Sequence, residues 1–221
     1  MAPFHPVVAD LPAEFPVFPL PGVLLLPRGK LPLRIFEPRY LAMTEDALGQ
    51  GRMFGMIQPD PNAAETKTGP RLFRVGCLGR ISSFSETDEG HFLITLTGLI
   101  RFAIASELEM RRGYRRVRGD FRPYHADLDP HRPATDISRE TLLGALRGYF
   151  THRNIDANWD AIKRLPDDML VETLAMVCPF EPAEKQALLE VATDAERASA
   201  LLALLQMGAL AQDVPGGRSI S

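Results

Sequence analysis

Apolar and polar positions change rhythm twice along the chain. Between residues 15 and 41 it reads FPVFPLPGVLLLPRGKLPLRIFEPRYL, with short apolar runs at 17–18, 23–26 and 31–36 cut by Pro16, Pro19, Pro21, Pro27 and Pro32. Proline locks φ and lacks a backbone donor, so this punctuation predicts strand ends and sheet edges, not central strands. Pro38 then fits the first position of a helix running to about residue 48 and stopped by Gly49 and Gly51. Further strands are predicted over 52–58, 71–85, 91–97, 100–107 and 114–121, seven or eight in all. Phe92, Ile94 and Leu96 alternate with Leu93, Thr95 and Thr97, as a sheet with one face in a core requires. Thr87-Asp88-Glu89-Gly90 supplies the hairpin turn, Pro59 to Pro70 a polar loop, and Gly76 and Gly79 mark bulges or corners.

The second change comes at 123–135, PYHADLDPHRPAT, where proline recurs and apolar content falls. A solvated linker is predicted there. Beyond it the period is helical. Leu142, Leu143, Leu146, Tyr149 and Phe150 share one face of a helix over 138–152, and a short helix surrounds Trp159. Pro166 opens another helix that Pro179 stops, and Glu181-Pro182 begins the next. Thr193 and Glu196 form a capping box ahead of a last helix lined by Ala195, Ala198, Leu201, Leu202 and Leu205. The expected organisation is α+β: a mainly-β barrel over 14–122, a linker at 123–135, a helical bundle over 136–210, and flexible tails at 1–13 and 211–221.

Composition changes this picture little. The chain has 221 residues, is 45% hydrophobic and carries a formal net charge of −3, so it can bury a core and has no global pull toward nucleic acid. No apolar run reaches the ~18 residues of a membrane span, and the opening MAPFHPVVADLPAE has no signal-peptide pattern. Cys77 and Cys178 have no metal-ligand spacing and read as free buried thiols, with the cytoplasm as the expected location.

Candidate chemistry is sparse. No serine stands in a G-x-S-x-G elbow, and G-x-x-x-x-G-K-[ST] does not occur; Gly29-Lys30 has leucine at 24 and is followed by Leu31. His125, Asp127, Asp129 and His131 lie within seven positions, but in a proline-broken segment that reads as solvated linker and not as a converging metal site. Arg111, Arg112, Arg115, Arg116, Arg118 and Arg122 crowd one stretch; acids lie close by, and aromatic stacking partners are limited to Tyr114, Phe121 and Tyr124. No catalytic residue, metal or cofactor is predicted.

The residues Phe18-Pro19-Leu20, Pro27, Leu31-Pro32-Leu33 and Ile35-Phe36-Glu37-Pro38-Arg39-Tyr40 resemble the opening signature of the Lon amino-terminal substrate-binding domain. The likeness continues in the strand Arg71 to Ile81, in the hairpin Asp88-Glu89-Gly90 to Arg101-Phe102, and in the helical half at 184–190 and 195–197. It covers roughly 14–207 and resembles the amino-terminal region of cereblon more distantly. It implies a PUA-like pseudo-barrel followed by a helical bundle, working as a non-catalytic module that recognises unfolded, tagged or peptide clients. A protease or ATPase is the implied partner. An RNA-binding PUA-like module and a small-ligand sensor are the alternatives. Within the motifs, Leu33, Phe36, Arg39, Tyr40 and Arg101 are the candidate peptide contacts. Phe36 is expected to be largely buried, and Glu37 to cap the helix and pair with Arg39 or Arg101. The ATPase and serine–lysine peptidase motifs of full-length Lon are not found in these residues. The sequence assigns no oligomeric state.

Overall fold

The computed structural model describes residues 6–129 and 137–210. Residues 1–5 of the tail expected at 1–13, the tail expected at 211–221, and residues 130–136 around the crossing, with His131, lie outside the described residues. Two compact units emerge, one comprising 1–132 with 172–190, the other 133–171 with 191–221.

The first unit holds six strands: β1 (Glu14–Pro19), β2 (Lys30–Ile35), β3 (Met53–Ile57), β4 (Val75–Glu86), β5 (Phe92–Arg111) and β6 (Tyr114–Asp120). They run in the order β2-β5-β4-β3-β1-β6, and a further β5–β6 pairing closes the last five into a ring. β1 lies parallel to β3, while the other pairs are antiparallel. The strands expected over 91–97 and 100–107 are one 20-residue strand, β5, and this lowers the count to six among the described residues. Its first half pairs with β2, its second with β6, and β4 runs beside both. Gly98 lets it pass: a Cβ there would run into the Leu26 carbonyl. Residues 23–26 form no strand; Leu24, Leu25 and Leu26 are instead buried in the loop between β1 and β2. Pro32 sits mid-way along β2, which pairs only with β5 among the described strands, so the missing donor falls where a sheet edge tolerates it.

Phe15, Val17, Leu78, Ile100, Phe102 and Val117 fill the ring interior. Phe15 meets Phe102 edge-on at 4.9 Å, and a Cβ on Gly76 would lie 2.6 Å from the Phe102 ring, so the glycine makes room for the aromatic. The register of β4 against β5 shifts between Leu78 and Gly79, the corner that the glycines foreshadow. Helix α1 (Pro38–Gly49) has Pro38 in its first turn and buries Tyr40, Met43, Thr44 and Ala47; Tyr40 stacks 4.1 Å from Phe18 of β1.

Among the described residues five more α-helices follow: α2 (Arg139–His152), α3 (Trp159–Lys163), α4 (Asp167–Val177), α5 (Pro182–Glu190) and α6 (Asp194–Leu210). In the second unit α2 packs on α6, with Leu142, Leu146 and Tyr149 buried on one and Leu201, Leu205 and Gly208 on the other. The capping box is formed: the Glu196 amide donates to Thr193 Oγ1 at 3.1 Å and the Thr193 amide to Glu196 Oε2 at 3.0 Å.

Candidate functional site

Arg101 lies on β5 and is almost wholly buried, with 3% of its surface exposed. Its Nε and Nη2 donate to the two oxygens of Asp127 at 2.9 Å each, and its backbone amide donates to the same carboxylate at 3.0 Å. Nη1 donates to the Leu189 carbonyl of α5 at 3.1 Å, and the guanidinium lies 4.8 Å from the Tyr124 ring. Burial alone would lower the Arg101 pKa, but the bonds and charge of Asp127 outweigh it and raise it. The stretch 122–128 is exposed at 122, 123, 125 and 126, as a solvated crossing requires, but it is not irregular. It is a 3-10 turn whose Asp127 is buried, because the guanidinium of Arg101 would otherwise be an uncompensated charge inside the protein. Arg101 and Asp127 clamp that turn and α5 to the barrel.

At the start of α1 the motif residues divide. Tyr40 is buried, and that burial pushes its hydroxyl pKa up. Arg39 is exposed; it donates to Glu37 Oε2 from Nε at 3.1 Å and Nη2 at 2.9 Å and covers the Tyr40 ring at 4.6 Å. Glu37 occupies the cap position but its side chain makes no cap hydrogen bond, so it serves Arg39 instead. Phe36 is 58% exposed, not buried. The physical reason is phase. Ile35, the last residue of β2, takes the inward position at 1% exposure, and the next side chain must point outward. Its ring meets that of His91, edge-on at 6.0 Å.

Phe36 thereby joins the outward face of the β2–β5–β4 sheet. Cross-strand register sets Arg34 opposite Leu93 and Leu93 beside Ser85; Pro32 opposes Thr95, which neighbours Ser83. Leu93 is 44% exposed, and Pro32, Ser83 and Ser85 are exposed as well. These residues, with Leu33 and Ile94 beneath, line a shallow depression. Beside it Arg34 donates to Glu89 at 2.8 Å and hydrogen-bonds His91 Nδ1 at 2.9 Å. On the opposite face of the same sheet end, Phe84 is 41% exposed and lies 5.0 Å from Phe92. Of the five motif candidates, then, Leu33 and Phe36 border an open apolar surface, Arg39 stands exposed at the head of α1, and Tyr40 and Arg101 lie in the interior. Leu93 was missed by the motif reading. Its signal was an apolar side chain in the outward phase of an otherwise polar alternation.

The arginine-rich stretch is charge-compensated. Arg111 and Arg112 pair with Asp46 and Glu45, Arg115 with Glu107, Arg116 and Arg118 with Glu14, and Arg122 with Asp120. A phosphate backbone would have to compete with these carboxylates for the arginines. Cys77 and Cys178 are buried and in no disulfide; burial pushes Cys178 up to about 12. No helix among the described residues is long and apolar enough to cross a membrane.

Residues 14–207 match the family described as the ATP-dependent protease La (LON) substrate-binding domain. A Lon protease from Anaeromyxobacter dehalogenans is 28% identical over 115 residues, 49% of this chain and 13% of that protein. A Lon protease 2 from Thermus thermophilus is 23% identical over 203 residues, 89% of this chain and 24% of that protein. The chain thus spans at most about a quarter of the length of these relatives. Among solved structures, the Lon N-terminal domain protein from Xanthomonas campestris superposes with a TM-score of 0.56 at 23% identity, covering 86% of this chain and 97% of that one. Barrel topology, motif positions and a match over most of the length agree, and the chain belongs to the LON substrate-binding domain family.

Proposed function

We propose that this chain recognises unfolded or otherwise exposed peptide segments of other proteins, and that it does so on the outward face of the β2–β5–β4 sheet. One observation carries the reading. Phe36, inside the family motif, holds its ring in solvent at 58% exposure, beside Leu93 at 44%. A large apolar side chain that adds nothing to the core costs solubility, and such patches mark interaction surfaces. The depression between Pro32 and Leu93 suits an aromatic or branched side chain of an extended segment, and the Ser83, Ser85 and Thr95 hydroxyls along it can bond the segment's amides. Arg39 contributes at the margin; Tyr40 and Arg101 hold the scaffold behind it.

The reading includes no chemical step. On this reading clients bound here are handed to a partner protease or ATPase, and the purified chain should neither hydrolyse ATP nor degrade casein. Fluorescence anisotropy of a labelled, reduced and carboxymethylated polypeptide tests the surface directly. Phe36→Ala and Leu93→Ala should each weaken binding about tenfold, the effect of losing ~1.4 kcal/mol at a contact centre. Their melting temperatures should stay within a few degrees of the parent, because neither side chain is in the core. Unchanged affinity in both variants would remove the site from this face.

A further inference from the structure

We infer that the outer edge of β4, from Ser82 to Glu86, takes an extended client segment as an added strand, so that main-chain hydrogen bonds hold the client together with side chains. The inference rests on the reading above and specifies the form in which its client is bound. β3 leaves β4 at Arg80, and the Ile81 amide still donates to the Arg52 carbonyl at 2.8 Å. From there β4 runs on beside β5 to Glu86, and among the described residues no strand pairs with its other side. Residues 82–86 are all exposed. The ladder fixes where their main-chain groups point. Thr87, next after the Glu86–Phe92 pair, donates its amide to the His91 carbonyl at 2.8 Å and so stands at a hydrogen-bonded position. Such positions recur at every second residue of an antiparallel pair. Ser85 and Ser83 therefore bond β5, and the N–H and C=O of Phe84 and Glu86 turn outward. The far side of β5 is in the same phase: Gly98 donates its amide to the Gly29 carbonyl at 2.9 Å, so Leu96, Ile94 and Phe92 bond β2 and the residues between them bond β4.

Donors and acceptors alternating at the spacing of a strand are complemented by another extended main chain. The occupant is a client segment and not a second copy of this chain. Two copies meeting at this edge would share only residues 82–86 of each, far short of the roughly 20 residues a side of a stable interface. A client segment gains more, because an added strand sends alternate side chains to the two faces of the sheet. One set lies with Phe84 and Phe92, the other with Ser83, Ser85 and Leu93 at the depression. The outer edge of β2 differs chemically. There Pro32 stands at an outward position with no N–H to offer and Lys30 flanks it, whereas 82–86 hold neither proline nor lysine, the residues that blunt an edge.

Residue-resolved amide hydrogen exchange of the full chain tests this, with and without a labelled peptide that alternates threonine with valine and phenylalanine. At saturating peptide the Phe84 and Glu86 amides should exchange about tenfold more slowly or better, while those of Ser83 and Ser85, already bonded to β5, change little. Fluorescence anisotropy with the same peptide N-methylated at its central residues is the second arm. Every side chain is kept and the donors are lost, so affinity should fall about tenfold, the scale of two hydrogen bonds. Unchanged exchange at Phe84 and Glu86 under saturating peptide, or equal affinity for the methylated form, overturns the inference. If either result comes with a peptide that Phe36→Ala and Leu93→Ala still weaken, only this inference fails. If the unmodified peptide does not bind, the proposed function fails with it.

Discussion

The motif residues of this chain do different jobs at close quarters, and burial separates them. Arg101 and Asp127 form a buried, bidentate pair with 4% of each side chain exposed. Removing one partner leaves a charge stranded in the interior, so Arg101→Leu or Asp127→Asn should each destabilise by ~3–5 kcal/mol, read from urea denaturation. The fraction that remains folded should still bind client peptide, since neither residue reaches the open face. A destabilisation below 1 kcal/mol would mean that the pair is not the clamp described. This pair was illegible in the sequence. Its members are 26 positions apart, and Asp127 sits in a run whose prolines and polar residues look like linker. Phe36 was misjudged for a related reason: at a strand-to-helix junction neither a period of two nor one of 3.6 applies, so its direction could not be read.

At the level of elements, what could be read was whatever depends on neighbours a few positions away. The Thr193–Glu196 box, the 87–90 turn, Pro38 at the head of α1 and the alternation along β5 are all local, and all are present. The number of strands was not local, because the continuity of β5 through Gly98 depends on where the 23–26 loop lies. The tie between α1 and β6 is equally long-range. Tyr114 of β6 donates to Asp46 of α1 at 2.6 Å, and Arg112 donates to Asp46 and Glu45 at 2.9 and 2.7 Å. Burial would raise the Asp46 carboxyl, but the hydrogen bonds from Tyr114 and Arg112 hold it below its ordinary range; burial and the Asp46 bond push Tyr114 up to about 12. A depressed carboxyl stabilises above its unfolded pKa and loses that contribution as pH falls through the acid range. A raised phenol stabilises below its unfolded pKa of ~10 and loses that contribution as pH climbs from there toward 12. Urea midpoints should accordingly be level from about pH 5 to 9 and fall on both sides. Tyr114→Phe should shrink the alkaline fall without abolishing it, because Tyr40 and Tyr124 are also raised. An alkaline limb unaltered in that variant would contradict the assignment.

Taken whole, the chain folds as two compact units that are not consecutive in sequence, since 172–190 cluster with the barrel. We propose 123–135 and the 59–70 loop as the first sites of limited proteolysis. A cut near 130–136 should not release the barrel alone. Gln58 donates to the Pro182 carbonyl at 3.0 Å and to Gln186 at 3.2 Å, Lys185 to the Gly22 carbonyl at 2.8 Å, and Arg101 to Leu189, all within the first unit. The two fragments should therefore co-elute in native gel filtration and separate only in denaturant. Free amino-terminal fragment under native conditions, or early cuts within 30–48, would be the contrary result.

The ring of the first unit has a consequence for how the protein is made. Its seam joins β1 to β6, with Glu14 opposite Arg118, and β1 also lies parallel to β3, so a strand made near the outset waits for one made about a hundred residues later. On the ribosome, where synthesis runs at ~5–20 residues per second, the first strands emerge seconds before their closing partner and stand with open edges in the meantime. The prolines of β1 and β2 are then more than edge markers in the finished sheet. Pro16, Pro19 and Pro32 remove donors from the very segments that must stay unpaired longest, so the nascent chain is guarded against joining a neighbour's strand before its own arrives.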